Sequence, residues 1–136
     1  MGSILCLETS SNVCSVAVGN DGLILSCLES ETGNAHSARL SELIEKSLQE
    51  AGFNLKDLDA IAVSMGPGSY TGLRIGVAAA KGFCYSLDKP LIAIPTLKSL
   101  ASGMCQIAGT GNGLFCPMLD ARRMEVYTPF MTSIWI

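Results

Sequence analysis

Ala60-Ile61-Ala62-Val63-Ser64-Met65-Gly66-Pro67-Gly68-Ser69-Tyr70-Thr71-Gly72-Leu73-Arg74-Ile75-Gly76 is the stretch that decides the fold of this 136-residue chain. Its first five residues carry no polar alternation, the pattern of a strand buried on both faces. Gly66-Pro67-Gly68 breaks that strand, and Ser69 is placed to cap a helix spanning about 70–87. A second apolar run, Leu91-Ile92-Ala93-Ile94, follows the helix. Strand, helix and buried strand in succession form a parallel crossover, right-handed by the rule for such units.

The segments before it complete a sheet. Residues 4–9, 13–18 and 23–28 are β-like runs separated by Ser10-Ser11-Asn12 and by Gly19-Asn20-Asp21-Gly22. The second gap is rich in residues that tolerate positive φ, as a tight hairpin requires, so the three runs form an antiparallel meander. Leu40, Leu43, Ile44, Leu48 and Ala51 then repeat at helical spacing, with Glu42, Glu45, Lys46 and Glu50 opposite. Asn34 or Ser37 is placed to cap this helix and Gly52 to end it. Thr96 is placed to cap a third helix reaching about Ala108. The order βββαβαβα predicts an α/β domain over 1–108, built on a mixed five-stranded sheet. Gly109-Thr110-Gly111-Asn112-Gly113 is a linker, and 109–136 holds it and the start of a second, similar unit. There, residues 114–119 are strand-like, Asp120-Ala121-Arg122 a turn, and residues 124–127 a returning strand.

Composition narrows the function classes. The chain is 49% hydrophobic and 15% charged, an apolar balance that suggests some surface is covered by a partner or another domain. A net charge of −3, with nine scattered Lys and Arg, argues against holding a nucleic acid alone. The six cysteines lack Cys-x-x-Cys spacing and mostly sit in apolar runs such as Ile4-Leu5-Cys6-Leu7. They predict buried thiols in a reducing cytoplasm, without a zinc site. No apolar run approaches the ~20 residues of a membrane span. Gly2 lacks the Ser or Thr that a myristoylation signal wants where Cys6 stands.

Three places invite chemistry. The turn Glu8-Thr9-Ser10-Ser11-Asn12 offers backbone N–H groups and hydroxyls, either as a phosphate cradle or as an ordinary polar hairpin turn. The glycine loop is no Walker motif, because no Lys-Ser/Thr follows Gly72, and it misses dinucleotide spacing by one position. Gly72, Gly76 and Gly82 each cost about 1 kcal/mol in a helix interior. Close approach of another helix, within the domain or across a subunit interface, would account for them. His36, the only histidine, has Leu40 at i+4, where a two-histidine helix site needs its second ligand. Asp120 occupies in the last hairpin the place of Glu8 in the first, which suggests a duplicated, actin-like architecture with nucleotide between the halves.

Together these segments resemble the TsaB (YeaZ) family. Ile4-Leu5-Cys6-Leu7-Glu8-Thr9-Ser10 and Cys14-Ser15-Val16-Ala17-Val18 look like its opening hairpin, and His36-Ser37-Ala38-Arg39-Leu40 like its first-helix start. Gly66 through Gly76 is the most specific match, joined by Pro95-Thr96-Leu97 and by Asp120-Ala121-Arg122-Arg123-Met124-Glu125-Val126-Tyr127. The resemblance covers about residues 3–128. It implies the actin/Hsp70-like ATPase (ribonuclease H-like) superfold and a non-catalytic scaffold subunit of the machinery making threonylcarbamoyladenosine in tRNA. It also implies a catalytic TsaD-type partner, a TsaE-type ATPase, self-pairing when alone, and only indirect contact with tRNA. Catalytic residues and a metal site are expected to be absent, Leu40 standing where catalytic relatives carry the second histidine.

The docking face this implies comprises His36, Leu40, Leu43, Gly68, Tyr70, Thr71, Gly72, Arg74, Ile75, Gly76 and Ala79. Nucleotide binding through Glu8, Thr9, Ser10 and Asp120 is expected only in a complex or with a full second domain. Many relatives have Asp where this chain has Glu8. The family continues into a complete second domain, whereas this chain diverges after about Tyr127; a truncation, a shifted reading frame or an engineered fragment would each explain that. A lone metal-dependent glycoprotease-like peptidase or ATPase is the alternative reading, and a folded fragment pairing through its exposed half-domain is a third.

Overall fold

The computed structural model describes residues 2–31, 36–109 and 113–132, with only the backbone at 36–38 and 131–132. Three strands open the chain: β1 (Ser3–Glu8), β2 (Val13–Asn20) and β3 (Leu23–Glu31). Then come α1 (His36–Ala51), β4 (Ala60–Gly66), α2 (Tyr70–Leu87), β5 (Leu91–Pro95) and α3 (Thr96–Ala108). The strands form one sheet in the order β3-β2-β1-β4-β5. Its β1–β2 and β2–β3 pairs are antiparallel, and its β1–β4 and β4–β5 pairs are parallel. This is the mixed five-stranded α/β architecture expected from the order of elements.

Local chemistry accounts for the joints. Asp21 and Gly22 both take positive φ, 51° and 83°, which suits the twist of a two-residue hairpin. Gly52, at φ 72°, follows the last residue of α1. Ser69 caps α2 by accepting from the Gly72 N–H at 3.4 Å, and Asp88 ends that helix in the left-handed region. Of the two residues expected to cap α1, Asn34 lies outside the described residues, and Ser37 lies inside the helix, which starts at His36. The expected cap of α3 differs. Pro95 occupies the N-cap of α3, so Thr96 is the first helical residue and its buried hydroxyl makes no hydrogen bond.

One face of the sheet carries the core. Leu5, Leu7, Val16, Val18, Ile61 and Val63 pack against Leu40, Leu43, Ile44 and Leu48 of α1 and Ala80 and Cys84 of α2. Each fully buried leucine or isoleucine contributes about 2–3 kcal/mol. Two polar ties fasten the edges of this core. The Ser26 hydroxyl in β3 donates to the Ser47 carbonyl of α1 at 2.8 Å and also pairs with the Ser47 hydroxyl. The Asp59 carboxylate accepts from the Ser3 N–H at 2.8 Å and from the Ser3 hydroxyl at 3.1 Å. In the β2–β3 ladder the register shifts: Val18 faces Ser26, but Gly19 faces Ile24, leaving Leu25 unopposed.

Beyond α3, β6 (Leu114–Phe115) pairs with β9 (Met131–Thr132), and β7 (Leu119–Arg122) with β8 (Glu125–Tyr127). The last hairpin therefore turns later than its sequence suggests. Asp120 lies within β7 opposite Val126, while Arg123 and Met124 make the turn and, with Arg122 at the end of β7, take positive φ. Among the described residues, no helix is long and apolar enough to cross a membrane.

Candidate functional site

The β1–β2 turn and the start of α2 are clasped together. Glu8, at the end of β1, uses both carboxylate oxygens: Oε1 accepts from the Ser10 N–H at 2.6 Å, and Oε2 accepts from the Ser64 hydroxyl of β4. The Ser10 carbonyl in turn accepts from the Ser69 N–H at 2.6 Å. Thr9 and Ser10 are 0% and 4% exposed, and the buried Thr9 hydroxyl has no hydrogen-bond partner. The neighbouring glycine-rich segment fits this turn closely. A methyl group at Gly68 would strike Ser10, and one at Gly72 the Thr9 carbonyl; at Gly76 it would meet the Thr9 hydroxyl.

That contact bears on two expectations. Among the described residues, the neighbour that comes closest to Gly72 and Gly76 is the β1–β2 turn of the same domain. In the expected phosphate cradle, the Ser10 N–H is bonded to Glu8, and the Thr9 hydroxyl is buried against Gly76 of α2. Only Ser11 and Asn12 of this turn are exposed. The Asp120 carboxylate does locally what Glu8 does, accepting from the N–H two residues on, that of Arg122, at 2.7 Å.

The residues expected on a docking face divide into two groups. Leu40 and Leu43, 2% and 9% exposed, belong to the core beneath α1. Gly72 and Gly76 are buried against Thr9, and Gly68 packs on Ser10. All five pack within the chain, because the apolar face of α1 and the glycine face of α2 both point inward, though Leu40 also lines the surface between the two helices. The side chain of His36 lies outside the described residues. Tyr70, Thr71 and Arg74 are exposed, and Ile75 and Ala79 half-buried. The Arg74 guanidinium lies over the Tyr70 ring, 5.5 Å from its centre.

Leu40, Ile75 and Ala79, all expected on a docking face, share one surface between the two helices. A groove of about 580 Å³ runs along α1 and α2, floored by Leu40, Ile44, Ile75, Ala79 and Phe83 and edged by Ser41, Ala78, Gly82 and Ser86. Gly82 opens onto it with nothing within 4 Å of where a side chain would begin. Unlike Gly72 and Gly76, it meets no contact among the described residues that requires it. On the outward side of α1, Glu42 pairs with Lys46 at 2.7 Å and with Arg39 at 3.9 Å. The Lys46 hydrogen bond holds the Glu42 carboxyl below its ordinary range.

Residues 30–132 match a family model described as TsaD, tRNA N6-adenosine threonylcarbamoyltransferase. The tRNA threonylcarbamoyladenosine biosynthesis protein TsaB of Escherichia coli (strain K12) is 36% identical over 124 residues, 91% of this chain and 52% of that protein. The chain belongs to the TsaB (YeaZ) family. TsaB of Bacillus subtilis (strain 168) is 35% identical over 126 residues, 93% of this chain and 53% of its own length. The solved structure of YeaZ from Pseudomonas aeruginosa superposes with a TM-score of 0.85 at 31% identity, covering 97% of this chain and 61% of that one. The shared fold is ribonuclease H-like and actin-like. The chain spans about half the length of these curated TsaB relatives.

Proposed function

We propose that this chain serves the synthesis of threonylcarbamoyladenosine in tRNA as a non-catalytic scaffold, docking a TsaD-type catalytic subunit through the α1–α2 groove. The observation that carries this reading is Gly82. A glycine inside a helix costs about 1 kcal/mol relative to alanine, and at Gly82 no contact among the described residues demands it. An apolar groove edged by Ala78, Gly82 and Ser86 admits a partner helix at close range. Tyr70 and Arg74, exposed on the same helix, supply an aromatic and a cationic anchor of the kind enriched in protein interfaces. Leu40 stands where a metal-binding helix would carry its second histidine, and its side chain is buried in the core, which favours the scaffold over the lone metallopeptidase.

In this reading a TsaE-type ATPase joins the same cytoplasmic assembly, tRNA is met only through the partners, and nucleotide enters only with the complex. Without a partner the groove pairs with that of a second copy, two helices from each protomer meeting with isologous symmetry.

Size-exclusion chromatography with light scattering tests this, on the chain alone and mixed with a cognate TsaD-type subunit. A shift to a mixed complex that Gly82→Leu or Arg74→Glu abolishes is the expected result. Gly76 is unsuitable for this test, since its substitution strikes Thr9. A mixed complex untouched by both variants would refute the placement of the docking face.

A further inference from the structure

A single chain of contacts joins the clasp at Glu8 to the first turns of α2. The Glu8 carboxylate fixes the Ser10 N–H at 2.6 Å, and the Ser10 carbonyl fixes the Ser69 N–H at 2.6 Å. Ser69 caps the first turn of α2 through the Gly72 N–H. Tyr70 and Arg74 sit on the first two turns of that helix. The opposite side of Ser10 is packed by Gly68, and Thr9 is packed by Gly72 and Gly76, so the turn cannot move without moving α2. On its other side, Glu8 is anchored to β4 through the Ser64 hydroxyl.

We propose that Glu8 is a positioning residue for the docking helix: through Ser10 it sets where the first turn of α2 lies, and with it Tyr70 and Arg74. This rests on the docking role of α2 argued above. It gives Glu8 a task that needs no nucleotide, and it explains why the turn is held by a carboxylate. A charge-assisted hydrogen bond is stronger than a neutral one, and Glu8 makes two. The chain also contains its own control. Asp120, one methylene shorter, makes the same bond to the N–H two residues on, at 2.7 Å. Aspartate at position 8 would therefore keep the bond to Ser10 and lose the reach to Ser64.

The test compares the wild type with Glu8→Ala, Glu8→Asp, Ser64→Ala and Arg74→Glu, all in the full chain. Hydrogen exchange of the Ser69 and Gly72 amides reports the position of the helix start, and light scattering with the TsaD-type subunit reports association. Glu8→Ala should speed exchange at Ser69 and Gly72 about tenfold or more, leave the α3 amides near Ala101 unchanged, and weaken association by a similar factor. Glu8→Asp and Ser64→Ala each lose only the bond between Glu8 and Ser64, so both should fall between wild type and Glu8→Ala in both readouts. A structural role alone would raise exchange across the whole sheet, and that pattern overturns the proposal. So does local loosening in Glu8→Ala with association unchanged while Arg74→Glu abolishes it, a result that leaves the docking face intact. If Arg74→Glu also has no effect, the docking reading itself has failed, and the positioning role falls with it. Should Glu8→Ala not fold, Glu8→Gln, which keeps one acceptor oxygen, carries the same comparison.

Discussion

Alanine placed at Gly72, Gly76 and Gly82 in turn should give three different stabilities, though all three positions lie in one helix. Intrinsic propensity favours alanine by about 1 kcal/mol at each. At Gly82 nothing lies within 4 Å of the new methyl, so Gly82→Ala should gain that amount and raise Tm by about 4 °C. At Gly76 the methyl meets the hydroxyl of Thr9, with Thr9 Cβ and Cγ2 both at 3.3 Å. Thr9 is 0% exposed and stiff about χ1, so it cannot rotate away. Overpacking of this kind costs about 1–3 kcal/mol, which cancels the helix gain or exceeds it by up to about 2 kcal/mol. At Gly72 the obstacle is the Thr9 backbone carbonyl, whose movement would drag the end of β1; Gly72→Ala should be the least stable.

Urea denaturation followed by circular dichroism, at constant m, measures all three. A double-mutant cycle with Thr9→Ala isolates the contact: without the hydroxyl, Gly76→Ala should become neutral or stabilising, and Gly82→Ala should be unaffected. Equal stabilisation by Gly76→Ala and Gly82→Ala in the wild-type background would refute the claim that the β1–β2 turn dictates the glycines of α2.

Other parts of the fold make separate predictions. Ser26→Ala leaves the buried Ser47 hydroxyl without its partner and should cost about 1–3 kcal/mol in the same urea assay, whereas Ser30→Ala, on the same strand, should cost little. The Ser3 N–H and then the Ser3 hydroxyl hold the Asp59 carboxyl below its ordinary value of 3.8. Its contribution to stability is thus present above that value and lost as pH falls through the lower, folded value; Asp59→Asn should flatten the acid limb of a stability–pH curve there. Cys14 and Cys84 are buried, and burial raises both thiols, with Glu8 adding a smaller push at Cys14. Exposed Cys27 should therefore react with iodoacetamide in the native protein, and Cys14 only after unfolding, a difference peptide mass spectrometry would detect.

The five strands and three helices were legible because each left a local signal: an unbroken apolar run, a 3.6-residue period, or a capping serine such as Ser69. Family membership was legible in the glycine loop, which is long and specific. What the glycines touch was not. A glycine in a helix announces that something comes close, but Thr9 is more than sixty positions from Gly72 and Gly76 in the sequence. The partnership of Glu8 with Ser64, 56 residues apart, left no sequence trace either. Leu43, assigned to the docking face, carries the helical period that marks the buried side of α1, whereas Leu40 on the same period also floors the groove. The last hairpin was misplaced for a different reason. Its turn uses positive φ at Arg122, Arg123 and Met124, none of them a residue type that marks such a turn.

The unopposed Leu25 of β3 bears on solubility. β3 is the outermost strand on its side of the sheet, and it opens with Leu23, Ile24 and Leu25, exposed by 70%, 74% and 42%. A long, regular, apolar border strand is a template on which another chain can add itself. The extra residue interrupts the even spacing of backbone donors and acceptors where the strand is greasiest, and Glu29 and Glu31 charge its other end. Removing Leu25 would straighten that border, and the shortened protein should precipitate at concentrations the natural sequence tolerates.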